Sequence, residues 1–194
     1  MAIQNYSDLI TAIDSFTVNA GAPADLCVAL AEEALRPLLK HRLMEEKVTT
    51  NVSAGQSPEL PADFQEARAI LLDGERIRPL SFQNDNLARC DLGYVVTGNT
   101  IEIRPVPSTD YVVELYYYQR LPSLSVSNPT NWLITNFPTV YLRASLAQAY
   151  HWLKDFDAEQ AEKDLTSDAL SAVVRDHTRS TMYGNTIIEE LSSW

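Results

Sequence analysis

Three histidines, His41, His151 and His177, are the residues of this 194-residue chain whose type best suits metal binding or proton transfer. His41 stands four positions before Glu45 and His151 four before Asp155, a spacing that brings each pair onto one side of a helix. Each pair supplies two ligands, where a zinc site takes three or four from the protein. A surface hydrogen bond is the simpler use of both. The carboxylate doublets Glu32-Glu33, Glu45-Glu46 and Glu189-Glu190 would have to work as acid and base, yet adjacent residues on a helix point in different directions. Cys27 and Cys90 lie far apart, in no CxxC or Cys/His pattern, and read as reduced side chains, one of them helical. HExxH, GxSxG, GxxxxGK(S/T) and GxGxxG are all missing. The sequence therefore offers no catalytic, cofactor-binding or metal-binding set, and the chain does not read as an enzyme.

Composition narrows the alternatives further. Hydrophobic residues make up 45% and charged residues 21%, the balance of a chain that buries a core without disulfide or metal staples. No apolar run approaches the ~20 residues that span a bilayer, and MAIQNYSDLI has neither the basic nor the apolar region of a secretory signal. These features predict a soluble protein made and kept in a cytoplasm-like compartment. Net charge is -11, and the 15 Lys and Arg residues are scattered singly along the sequence. A protein that grips nucleic acid clusters its cations on phosphates. An acidic surface suits DNA that must pass without sticking.

The elements that must position any surface fall into helices, strands and helices again. Ser7 reads as the N-cap of a short amphipathic helix carrying Leu9, Ile10, Ile13 and Phe16. A second helix opens at Ala22-Pro23-Ala24-Asp25, with Leu26, Leu30, Ala34, Leu38 and Leu39 as its apolar face and Pro37 interrupting it. From Lys47 to about Gln119 the period changes to alternation, which predicts an antiparallel β region: a strand at KVTTNVSA, a hairpin about Asp73-Gly74 and another about Gly98-Asn99. Pro138 opens a third helix with Val140, Ala144, Leu146 and Ala147, and Asp157 with Gln160 makes a capping-box-like start for a fourth. Beyond His177 the sequence loses clear periodicity, yet it ends in Ile187, Ile188, Leu191 and Trp194, too apolar for a plain disordered end.

The strand DYVVELYYYQ is the most unusual stretch. Alternation turns Val113, Leu115 and Tyr117 inward and leaves Val112, Glu114, Tyr116 and Tyr118 on the other face. A carboxylate beside two tyrosines is neither a dry core nor a plain solvated face. Tyr116 and Tyr118 are expected at a seam, covered by the helices or by another subunit.

Several motifs occur in a familiar order: YSDLITAI, PADLCVALAEEALRPLLKHRLMEE, LPADF leading into LLDG, and then YYYQRLPSL with NWLITNFPTVYLRASLAQAYHWLKD. Over roughly residues 4 to 170 the chain resembles the head-to-tail adaptor, or connector, proteins of tailed bacteriophages, including the tail tubular protein A type. The resemblance implies an α+β fold: a helical bundle made by residues 1–46 and 126–177, an antiparallel β insertion at 47–125, and a docking tail at 178–194. It implies a structural virion protein, with no catalytic residue and no cofactor, that forms a ring of twelve beneath the portal protein. Such a ring extends the DNA channel, carries the next tail component (nozzle, stopper or fibre) and lets DNA pass through its lumen without specific binding. Tyr183, Ile187, Ile188, Leu191 and Trp194 would then dock on the portal or a neighbouring subunit. The competing expectations are a nucleic-acid-binding protein associated with DNA packaging, disfavoured by the charge, and a tail-associated cell-wall hydrolase, which would need two carboxylates facing across a cleft.

Overall fold

The computed structural model describes residues 3–18, 20–80 and 92–184, the side chains of 182–184 excepted. The fold is α+β, with five α-helices and a six-stranded sheet among the described residues. The chain divides into two compact units, one made of residues 1–43 with 121–194 and the other of residues 44–120.

In the first unit, α1 (Tyr6–Phe16) is capped by Asn5, whose side chain accepts the Asp8 N–H at 3.0 Å, in place of the expected Ser7. Helix α2 (Ala24–Leu35) stops two residues before Pro37, and Arg36–Leu38 continue as a single 3-10 turn. Proline has no N–H to donate and its ring crowds the preceding turn, so the interruption read from the sequence is present. A short helix, α3 (Trp132–Asn136), was not anticipated; Asn131 caps it by accepting the N–H groups of Leu133 and Ile134. Helix α4 (Pro138–Leu153) opens on proline as expected and ends at Lys154 in the left-handed conformation. Helix α5 (Phe156–Gly184) starts from Asp155, whose carboxylate accepts the Ala158 N–H at 3.2 Å, rather than from Asp157. It continues past His177, where the sequence loses clear periodicity.

Helix α4 is the axis of this unit, packed against α1, α2, α3 and α5. Its Val140, Tyr141, Ala144, Leu146, Ala147 and Ala149 are buried, and the alanines let neighbouring helices approach closely.

The second unit is a sheet in the order β1-β6-β2-β3-β4-β5, from β1 (Glu45–Val52), β2 (Phe64–Leu72), β3 (Glu75–Pro79), β4 (Gly93–Thr97), β5 (Thr100–Arg104) and β6 (Tyr111–Gln119). Both anticipated hairpins form. Asp73 and Gly74 take φ of 49° and 87°, the pair of positive values that a tight two-residue turn requires, while Gly98 takes 59°. The sheet is mixed rather than antiparallel, because β3 and β4 run parallel through Arg78↔Gly93 and Pro79↔Tyr94. Residues 80–92 separate those strands, and a connection of about a dozen residues is long enough to bring a strand back in the same direction. Beneath the sheet, Ile70, Leu72, Ile77, Tyr94, Ile101, Ile103, Val113, Leu115 and Tyr117 form one apolar cluster.

Candidate interaction surfaces

Strand β6 sorts its three consecutive tyrosines by alternation. Tyr117 points into the cluster, stacked on Phe64 with centroids 5.8 Å apart, and its hydroxyl donates to Asp63 Oδ1 at 3.0 Å. Burial, together with the Asp63 carboxylate, pushes its pKa up to about 12. Tyr116 and Tyr118 lie on the opposite face and are half-buried. Register places Tyr116 between Lys47 and Ala69, Glu114 between Thr49 and Leu71, and Tyr118 between Glu45 and Glu66. Lys47 Nζ sits 2.8 Å from Glu114 Oε2 and 5.1 Å from the centre of the Tyr116 ring, and the Tyr116 hydroxyl donates to the same carboxylate oxygen at 3.4 Å. The hydrogen bond with Lys47 holds the Glu114 carboxyl below its usual range, and the same bond raises the Lys47 ammonium. The face is thus a lattice of rings and paired charges, held in place before anything binds to it.

The same face carries cations that the linear sequence hides. Arg76 and Arg78 alternate along β3, and Arg68 is the extra residue where the pairing of β2 with β6 shifts register between Ala67 and Ala69. Together with Pro79 and Tyr94 they line a depression of about 440 Å³. Arg68 is paired with Glu45. Cations that looked singly scattered are brought together by strand register, and the signal was the Arg-Ile-Arg alternation across the hairpin from Arg68.

On α2 the apolar face expected from the sequence is overturned. The buried residues are Ala24, Cys27, Val28, Ala31, Glu32 and Leu35, whereas Leu26, Leu30 and Leu38 are 50%, 42% and 61% exposed and Ala34 is exposed as well. Only Leu39 of the expected set is buried. Close packing on α4 selects small residues, and Glu32 is admitted to the interior because its Oε1 accepts the Leu124 N–H at 2.7 Å and the Tyr141 hydroxyl at 3.1 Å. Of these leucines, Leu38 borders a groove of about 260 Å³ between α2, α4 and α5, lined also by Ala34, Ala144, Ala147, Lys163 and Leu170.

The histidine pairs read from spacing are replaced by others. His41 lies beyond the end of α2 and is fully buried; its Nε2 is 3.0 Å from Asp176 Oδ2 on α5, and its ring stacks on Trp132 at 5.1 Å. His151 Nδ1 is 2.9 Å from Glu159 Oε2, which also receives Lys163 on its other oxygen. Among the described residues no three His, Cys, Asp or Glu side chains are placed to hold a metal ion. Cys27 is buried in α2, and burial raises its thiol pKa; Cys90 lies outside the described residues. Tyr183 falls in the last turn of α5 with its side chain undescribed, and Ile187, Ile188, Leu191 and Trp194 lie outside the described residues.

Half-buried aromatics among paired charges, an exposed leucine stripe and an apolar groove are the features of a protein that assembles with others. The SU10 adaptor protein family matches residues 4–188. The chain belongs to that family, and its role is that of a structural head-to-tail adaptor of a bacteriophage, located in the virion and interacting with portal and tail components. No curated protein matches the chain. No helix among the described residues is long and apolar enough to cross a membrane.

Proposed function

We propose that this adaptor forms a closed ring, of twelve subunits, beneath the portal, extending the DNA channel and presenting the platform on which the next tail component (nozzle, stopper or fibre) is mounted. The family match over nearly the whole chain carries this reading. The five helices, gathered on α4, act as the bundle of the ring; residues 178–194, which begin in the last turns of α5, are the docking tail, with Tyr183, Ile187, Ile188, Leu191 and Trp194 as its contacts on the portal or a neighbour. Tyr116 and Tyr118 form a subunit or domain seam. DNA passes through the lumen during packaging and ejection without being gripped, in keeping with the net charge of -11. The protein performs no catalysis and is made in the cytoplasm of the bacterial host.

A virion reconstruction tests this directly. The expected result is a twelvefold ring of this chain at the portal vertex, and loss of the protein should leave DNA-filled heads without tails. A virion whose neck density cannot accommodate the chain overturns the proposal.

A further inference from the structure

The depression on the sheet suits one kind of guest. Arg68, Arg76 and Arg78 line it, Ala67 and Ala69 add little bulk, and no described carboxylate takes part in its wall. A guanidinium forks onto a carboxylate and stacks on an aromatic ring, so three of them around one hollow fit a partner that carries both groups. Arg68 already holds Glu45, whereas Arg76 is exposed and makes no hydrogen bond or ion pair among the described residues. Its donors are open to another molecule.

The helical unit offers that combination at one place. Where α4 gives way to α5, Lys154 takes the left-handed conformation with φ of 61°, and Trp152 and Phe156 on either side of it are 51% and 62% exposed. Asp155 and Asp157 flank Phe156 in the sequence. The Asp155 carboxylate is occupied by the Ala158 N–H, but Asp157 is exposed and has no hydrogen-bond or ion-pair partner among the described residues. Phe16, the remaining exposed Phe or Trp among them, already has the Arg143 guanidinium 6.0 Å from its ring centre. Two aromatic rings in water beside an unpaired carboxylate have the composition of an interface anchor.

We infer that the α4–α5 corner of one copy docks in the Arg68–Arg76–Arg78 depression of a second copy, with Asp157 on Arg76 and the rings of Trp152 and Phe156 against the guanidinium groups. This rests on the adaptor reading and specifies a contact between its subunits. Corner and depression are different surfaces, so every copy gives one and receives one, the head-to-tail geometry that closes into a ring.

Charge reversal in an adaptor-null phage tests the pairing. Arg76→Glu sets two carboxylates against each other and Asp157→Arg two cations, so either variant supplied alone should cut the yield of tailed virions about tenfold or more. Both residues are exposed, so the purified variants should keep the wild-type circular dichroism and melting temperature. Trp152→Ser with Phe156→Ser in one chain, which leaves every charge in place, should lose yield to a similar extent. The decisive sample supplies the two charge variants together. In a ring that alternates them, each remaining Asp157 meets an intact Arg76 and each introduced arginine meets an introduced glutamate, so the yield should return to within a few-fold of wild type. Charge variants that each support normal tailing, or a mixture no better than its components, overturn the contact. Loss with Arg76→Glu while Asp157→Arg tails normally would give the depression to an acidic surface of another virion protein, and overturns it too. In all these cases tailless heads in the null phage leave the adaptor reading standing, whereas a null phage that still makes tailed virions removes that reading and the contact with it.

Discussion

Tyr141 donates its hydroxyl proton to Glu32 Oε1 across 3.1 Å in the interior of the helical unit, tying α4 to α2 over 109 residues of sequence. The same carboxylate oxygen accepts the Leu124 N–H at 2.7 Å, and Asn131 Nδ2 donates to the Tyr141 oxygen at 2.6 Å and to the Pro122 carbonyl at 2.7 Å. Burial pushes the Tyr141 pKa far up, so the phenol stays a donor at any physiological pH. One polar network therefore fixes α2, α4 and the segment between β6 and α3.

Removing either end of that network leaves the other partly unpaired. Tyr141→Phe should lower stability by about 1–2 kcal/mol. Glu32→Ala, which strands both a backbone N–H and a phenol, should cost about 3 kcal/mol or more. Chemical denaturation of both single variants and the double variant checks this. The double variant should cost clearly less than the sum, because the two residues act as one unit.

His41 makes the helical unit sensitive to acid. Leu43 N–H donates to His41 Nδ1 at 3.3 Å, which places the ring proton on Nε2, facing Asp176. A second proton would have to displace that donor inside a buried stack. Burial lowers the His41 pKa from its ordinary value of 6.5; the Asp176 carboxylate opposes this shift, while His177 and Arg42 add to it. Between the lowered folded value and 6.5 the unfolded chain binds the proton and the folded chain does not, so stability falls as pH drops through that window. Melting temperature should decline below about pH 6.5 in wild type, whereas His41→Phe, which keeps the ring on Trp132, should flatten that part of the profile. An unchanged slope in the variant would assign the acid sensitivity to other groups.

How much of this was legible in the sequence follows from the range of each interaction. The hairpins at Asp73-Gly74 and Gly98-Asn99 were readable because a two-residue turn is a local demand on φ, and the inward set of β6 was readable because pleat alternation is local too. The parallel pairing of β3 with β4 was not, since nothing within either strand encodes which neighbour it meets. On α2 the leucines formed the more hydrophobic stripe, but helix–helix spacing, a property of the partner α4, selected the alanine and Cys27 side. Glu32 looked like half of a charged surface doublet because its partners, Leu124 and Tyr141, are remote in sequence. His41 and Asp176 are 135 residues apart, so helical spacing could only propose Glu45.

Gly93 should be irreplaceable where β4 joins β3. A Cβ added there would stand 2.7 Å from Leu80 Cγ and 2.8 Å from the Arg78 carbonyl oxygen, and backbone cannot yield as a flexible side-chain tip can. Gly93→Ala should therefore destabilise the sheet by about 1–3 kcal/mol, the usual range for overpacking. Hydrogen exchange should show the loss concentrated at β3, β4 and β5, with β1 and β6 protected as before. Equal loss of protection in β1 and β6 would mean that the sheet opens as a single cooperative unit.

Tyr116 and Tyr118 should matter to assembly more than to the fold of the sheet. Their strand is held from the other side by Val113, Leu115 and Tyr117, which supply the cluster contacts, while the outer rings contribute contact area and the Tyr116 hydroxyl makes only a long bond to Glu114. Replacing both by serine keeps a hydroxyl at each position and removes the ring, along with the surface over which Lys47 lies. If a neighbouring surface covers these rings, truncating such anchors should cost about 1–4 kcal/mol of association. The double variant is therefore expected to melt within a few degrees of wild type yet fail to complement an adaptor-null phage, with DNA-filled, tailless heads accumulating. Full complementation would show that the two rings are ordinary surface residues, and a large drop in melting temperature would assign them to the fold of the monomer instead.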